Sequence, residues 1–178
     1  MNTQNAVKTY FLILVFIFFA SISKSQTASN FKLISAAFEE GKPIPVKYTC
    51  DGSNISPPLS WSGFPEQTKS FAIIMDDPDA PMGTWVHWVI YNIPGTITSL
   101  EEEKSVGQIN ANNGLNSWDE EGYNGPCPPG GTHKYNFKLY ALDKTLTTKE
   151  GMTKAELLEA MKGHILSETT LTGLFRIE

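Results

Sequence analysis

Ser70-Phe71-Ala72-Ile73-Ile74-Met75-Asp76-Asp77-Pro78-Asp79-Ala80-Pro81 decides the fold class. Its first half is a short, continuous apolar run, the pattern of a buried strand. That run passes directly into an acidic turn, which Pro78 and Pro81 stiffen by fixing φ and removing donors. A second strand follows at Thr84–Ile93. Strict alternation places Trp85, His87, Val89 and Tyr91 on one face and Val86, Trp88 and Ile90 on the other. Both faces are apolar or aromatic, so the strand is central and His87 is shielded from bulk water.

Working outward, Asn30–Ile34 reads as a first strand. Gly41–Tyr48 is broken by Pro43 and Pro45 and is an edge strand at best. Cys50–Pro58 is turn-rich, and Glu101–Asn124 is polar and rich in Gly and Asn, a long loop or excursion. Lys134–Leu142 is a further strand, with Tyr135, Phe137, Leu139 and Ala141 on one side. Thr153 with Glu156 makes a capping box. Leu157, Leu158 and Met161 give that helix an apolar face, and Gly163 ends it. Ile165–Ile177 returns as a last strand. Strands dominate, with one or two helices near the C-terminal end. The class is mainly β: a β-sandwich or large antiparallel sheet with Greek-key connections.

The chain of 178 residues has room for about one domain. Lys8 precedes the apolar run Tyr10–Ala20, and Ser21, Ser23, Lys24 and Ser25 follow, ahead of Gln26. This is the pattern of a secretory signal peptide over residues 1–25. It leaves a domain at 26–178 that is secreted or periplasmic, with no membrane span after processing. A retained anchor is the competing reading, but the run falls short of the ~20 residues a span needs. The formal net charge is −5. No basic footprint for nucleic acid is present.

Two cysteines, Cys50 and Cys127, would enter an oxidising compartment, where a disulfide persists. Such a bridge would pin the Cys127 loop to the N-terminal part of the domain and stabilise it by ~4 kcal/mol. Two unpaired buried thiols are the alternative.

Three stretches carry polar chemistry: the acidic turn, Trp85-Val86-His87-Trp88, and Gly125-Pro126-Cys127-Pro128-Pro129-Gly130-Gly131-Thr132-His133-Lys134-Tyr135. Each lies at a strand end, where rigid strands hold walls and Pro/Gly loops form a rim. Asp79 serves equally well as a loop-holding residue, whereas Asp77, at the end of a buried strand, faces a pocket. Two imidazoles, His87 and His133, can donate to a phosphate or carboxylate oxygen. Backbone N–H groups of Gly125, Gly130 or Gly131 could add donors. A carboxylate such as Asp77 would orient one imidazole and favour its cation, so anion binding should weaken as pH rises. The same trio also reads as a two-His, one-carboxylate metal site. A hydrolase is a third reading. The Gly-x-Ser-x-Gly elbow is missing, and Cys127 is a nucleophile only if unbridged. His164, beside the helix end, is structural.

With these residues in place, the chain resembles the phosphatidylethanolamine-binding proteins, and most closely their bacterial Raf-kinase-inhibitor-like branch. The motifs that carry the likeness run in order: Cys50-Asp51-Gly52 with Ser56-Pro57-Pro58-Leu59-Ser60-Trp61, Asp77-Pro78-Asp79-Ala80-Pro81, His87-Trp88, Gly125-Pro126 through His133-Lys134-Tyr135, and Gly163-His164-Ile165-Leu166. The resemblance implies a large antiparallel sheet, a smaller sheet and few peripheral helices. It also implies a small anion pocket lined by Asp77, His87 and His133. Trp85, Gly125, Pro126 and Tyr135 fall at its walls, and Asp79 and Pro81 at its rim. It implies no catalytic mechanism and no cofactor. The expected function is therefore a non-enzymatic extracytoplasmic binding protein for a small anion or phospholipid headgroup. An inhibitor or modulator of a partner, such as an extracytoplasmic hydrolase, and a metal-dependent hydrolase are the alternatives. Two departures stand out: Cys127 falls where the animal proteins have a proline, and the exported start removes the chain from cytoplasmic kinases. Little chain also follows Phe175 to cover the pocket.

Overall fold

The computed structural model describes residues 30–147 and 150–177. The expected signal peptide at 1–25 lies outside them. Nine strands form two sheets among the described residues. β1 (Lys32–Ser35), β3 (Leu59–Ser62) and β6 (Ser99–Leu100) make the smaller sheet. The larger has the order β2 (Lys42–Pro43), β9 (Ile165–Arg176), β8 (Thr132–Leu142), β4 (Ser70–Asp77), β5 (Trp85–Pro94), β7 (Asn112–Asn113). The chain leaves β5 and returns as β8 on the far edge of β4, the long return of a Greek-key-type order.

The central strand β4 is buried along its whole length, as a continuous apolar run demands. Phe71, Ile73 and Met75 face the smaller sheet and pack with Leu33, Leu59, Trp61 and Leu100. Ala72 and Ile74 face the other way, toward Leu157 and Met161 of the helix α1 (Lys154–Met161). The result is three layers: small sheet, large sheet, helix. The capping box forms, with Thr153 Oγ1 accepting from Glu156 N–H and Glu156 Oε2 accepting from Thr153 N–H. The helix stops at Gly163, whose φ of +78° turns the chain into β9. Among the described residues no helix is long and apolar enough to cross a membrane.

Three expectations need correction. The large sheet is not wholly antiparallel, because β2 pairs parallel with β9 through Lys42↔Gly173 and Pro43↔Leu174. Pro43 is tolerated there because the strand is an edge. The excursion 101–124 is not a plain loop: it holds a 3-10 turn at Val106–Ile109 and β7.

The third correction bears on the site. Met75 pairs with Trp88, but the next pair is Asp76 with Val86, so His87 is an extra, bulged residue. A second irregularity lies between Phe71↔Ile93 and Ile73↔Ile90, where Asn92 has a φ of +59°. Alternation therefore fails along β5. Val86 packs with Val89 and Tyr91, while His87 joins the face of Trp88 and Ile90, against Tyr135. A bulge re-aims a side chain in this way by putting two successive residues opposite one.

Candidate functional site

Asp77 continues the Phe71–Ile73–Met75 face of β4, and His133 continues the Tyr135–Phe137–Leu139 face of β8. Adjacent strands and a shared face bring the two together at the open end of the sheet. His133 Nδ1–H donates to Asp77 Oδ2 at 2.7 Å, with the residues only 8% and 3% exposed. The other oxygen, Asp77 Oδ1, accepts from Asp79 N–H at 2.8 Å, which shapes the acidic turn.

His87, 2% exposed, is held differently. Its Nδ1 lies 2.7 Å from Asn124 O. A carbonyl only accepts, so Nδ1 carries the proton and the neutral ring keeps its lone pair on Nε2. The ring stands edge-on between Trp118 at 5.1 Å and Tyr135 at 5.2 Å. Burial pushes its pKa below the ordinary histidine value, against the opposing pull of the Asn124 carbonyl and the Asp77 charge. Burial also drives the Tyr135 hydroxyl well above the ordinary tyrosine range, and the Asp77 charge adds to this.

Asp77 and His87 border a cavity of about 340 Å³, whereas His133 is not among its lining residues and stands behind Asp77. Asp77 and His87 give it polar groups. Ala80, Pro81 and Met82 form one side; Trp85 and Trp118, with rings 5.3 Å apart, form another. Cys127 and Pro129 complete the wall. None of these lining residues is Lys or Arg.

The remaining residues expected at the site stand behind its walls. Asp79 Oδ2 accepts from Lys134 N–H at 2.9 Å and so ties the acidic turn to β8. Gly125 is packed so closely that a Cβ would sit 2.4 Å from Tyr48 O, and its N–H is taken by Asn54 Oδ1 at 2.7 Å. It is therefore not a spare donor for a ligand. Pro126 O accepts from Cys50 N–H at 3.1 Å. Tyr135 is fully buried under His87. Cys50 and Cys127 are bridged, with Cα atoms 5.4 Å apart across 77 residues of sequence.

The sequence reading missed Met82 and Trp118 as rim residues. Their signal was an apolar side chain stranded in a polar loop: Met82 is 94% exposed and Trp118 41%. His164 lies elsewhere and donates from Nδ1 to Asp143 Oδ1 at 2.9 Å. Among the described residues no group of three or more His, Cys, Asp or Glu side chains is arranged to hold a metal ion.

The fold and site define a two-sheet β-protein with a small imidazole–carboxylate cavity at the strand ends. The family model described as phosphatidylethanolamine-binding protein matches residues 34–176, and the chain belongs to that family. It is 52% identical over 143 residues to the UPF0098 protein of Methanothermobacter thermautotrophicus, covering 79% of this chain and 95% of that one. Among solved structures it is similar to a phosphatidylethanolamine-binding-protein homologue from Chlamydia trachomatis. That likeness has 44% identity and a TM-score of 0.80, over 85% of this chain and all of the other. It is also similar to YbcL of Escherichia coli, at 32% identity and a TM-score of 0.77, over 83% and 99% of the two chains.

Proposed function

We propose that this chain is a non-enzymatic binding protein whose cavity takes a small anion, free or as the phosphate of a phospholipid headgroup. One observation carries the reading: Asp77 and His87 line the cavity, with His87 anchored through Nδ1 to the Asn124 carbonyl and His133 anchored through Nδ1 to Asp77 behind it. Protonated, the His87 ring offers an N–H to an anion oxygen in the cavity. Without a lining Lys or Arg, the cavity's positive charge comes from protonated His87, so binding takes up a proton. The family's name, which specifies a phospholipid, supports the headgroup source.

A binder is favoured over a catalyst because Asp77 is already committed through both oxygens and Cys127 is bridged. The bridge and the apolar N-terminal run support an extracytoplasmic location.

Calorimetry with inorganic phosphate and phosphoethanolamine tests this reading. Binding by the wild type that is lost in His133→Ala and His87→Ala supports it. Tight zinc binding with proton release and no phosphate binding would replace it with the metal-site alternative. Met82 and Trp118, exposed at the rim, favour a second reading in which the same mouth docks onto a partner protein.

A further inference from the structure

Cys50 and Cys127 are both solvent-exposed, and both lie in loops outside the two apolar cores. A bridge in that setting is open to attack by a thiolate, unlike a disulfide enclosed in a core. Cys127 also lines the cavity, and Pro129 of the same segment lines it too. On the other side, Cys50 belongs to the turn whose N–H holds Pro126 O. One covalent bond therefore ties a wall of the cavity to the body of the domain, at a point that solvent reaches.

We propose that the Cys50–Cys127 disulfide is a thiol-exchange site that opens and closes the cavity wall. The co-reactant is a dithiol, whether a small molecule or the active-site pair of an oxidoreductase. Its thiolate attacks one Sγ, the S–S bond breaks, and the other cysteine leaves as a thiolate that takes up a proton. The second thiol of the co-reactant then displaces the mixed disulfide. The chain gains two thiols, and the dithiol is oxidised to a disulfide. The cores are untouched, since β4, β5, β8 and β9 hold the large sheet without either cysteine. The segment 127–131, bearing three exposed positions at 129–131, loses its covalent tether and is held only through the hydrogen bonds of Gly125 and Pro126, so the cavity loses a preorganised side. That the open form holds anions less well rests on the reading of the cavity as an anion site. That the wall opens does not.

The test compares the oxidised protein with the same protein kept in excess dithiothreitol under native conditions. Free thiols are counted by mass after alkylation, fold is followed by far-UV circular dichroism, and hydrogen exchange is mapped by peptide. Phosphate affinity is measured on both forms and on Cys50→Ser/Cys127→Ser. The expected result is two alkylated thiols with the circular dichroism spectrum kept. Exchange should be faster in 125–131 but not in β4 or β8, and phosphate affinity should fall at least about tenfold. Thiols that react only after global unfolding, loss of the fold on reduction, or unchanged exchange in 125–131 would each overturn the proposal. If the oxidised protein binds no phosphate, the anion reading falls and the exchange map alone decides the gate. If the double variant does not fold, the reduced wild type decides it.

Discussion

Asp76 and Asp77 are consecutive in β4 and are both buried, yet they act on opposite faces of the large sheet. Asp77 pairs with His133 at the cavity. Asp76 pairs with Lys138 at 2.8 Å and Lys154 at 2.5 Å on the helix side. The two-residue pleat explains the division: adjacent side chains of a strand point to opposite faces. It also separates the carboxylate at the cavity from the one under the helix, which sequence proximity alone would have merged.

The separation is measurable. Removing both cations from Asp76 leaves a buried carboxylate uncompensated, so Lys138→Met with Lys154→Met should cost about 3–5 kcal/mol in urea unfolding. Asp76→Asn removes the charge itself and should cost less. Neither should change phosphate affinity by more than a small factor, because the cavity lies across the sheet. A strong effect of Asp76→Asn on binding would show that the two faces are coupled.

Under the proposed anion binding, His87 makes stability and binding depend on pH in opposite senses. Its folded pKa is depressed by burial, so the unfolded chain takes up its proton first as pH falls. The contribution to stability is present above about 6.5, the unfolded value, and is lost as pH drops toward the folded value. His87→Phe should flatten that part of the stability–pH curve. Anion binding should instead strengthen as pH falls, because the cation is the binding form. Calorimetry in buffers of different ionisation enthalpy should report proton uptake, with sulfate, which does not titrate in this range, as the comparison ligand.

Gly125→Ala should destabilise the domain by about 1–3 kcal/mol, since the added Cβ meets backbone at Tyr48 rather than a movable side-chain end. Thermal unfolding reads the loss. A neutral substitution would mean that the loop relaxes away from Tyr48.

Trp118→Ala removes a partly exposed ring from one side of the cavity and from the edge of His87. Stability should change by less than about 1 kcal/mol, while affinity for phosphoethanolamine should fall severalfold. Equal affinity in the variant would place the guest away from that wall.

The strands β4, β5, β8 and β9 were legible because their apolar runs are long and bounded by Pro, Gly and Asp. The capping box at Thr153 and Glu156 was legible for a different reason: its two hydrogen bonds are local. The bridge between Cys50 and Cys127 followed from the cysteine count and the expected export. The pairing partners of those strands were not legible, because sheet order depends on long-range contacts that a linear pattern does not carry. Trp118 was missed for the same reason, since it reaches the cavity from a polar stretch with no period of its own.

Local chemistry in the chain is enough to set the β class, the helix start and the clustering of Asp77, His87 and His133 at strand ends. The sheet order, the parallel β2 edge and the cavity itself arise from packing between distant segments. His87 marks the boundary most clearly. Alternation put it on the face of Val89 and Tyr91, and an unpaired residue opposite β4 turned it toward Tyr135. A bulge depends on how two strands fit together, and neither strand's own period encodes it.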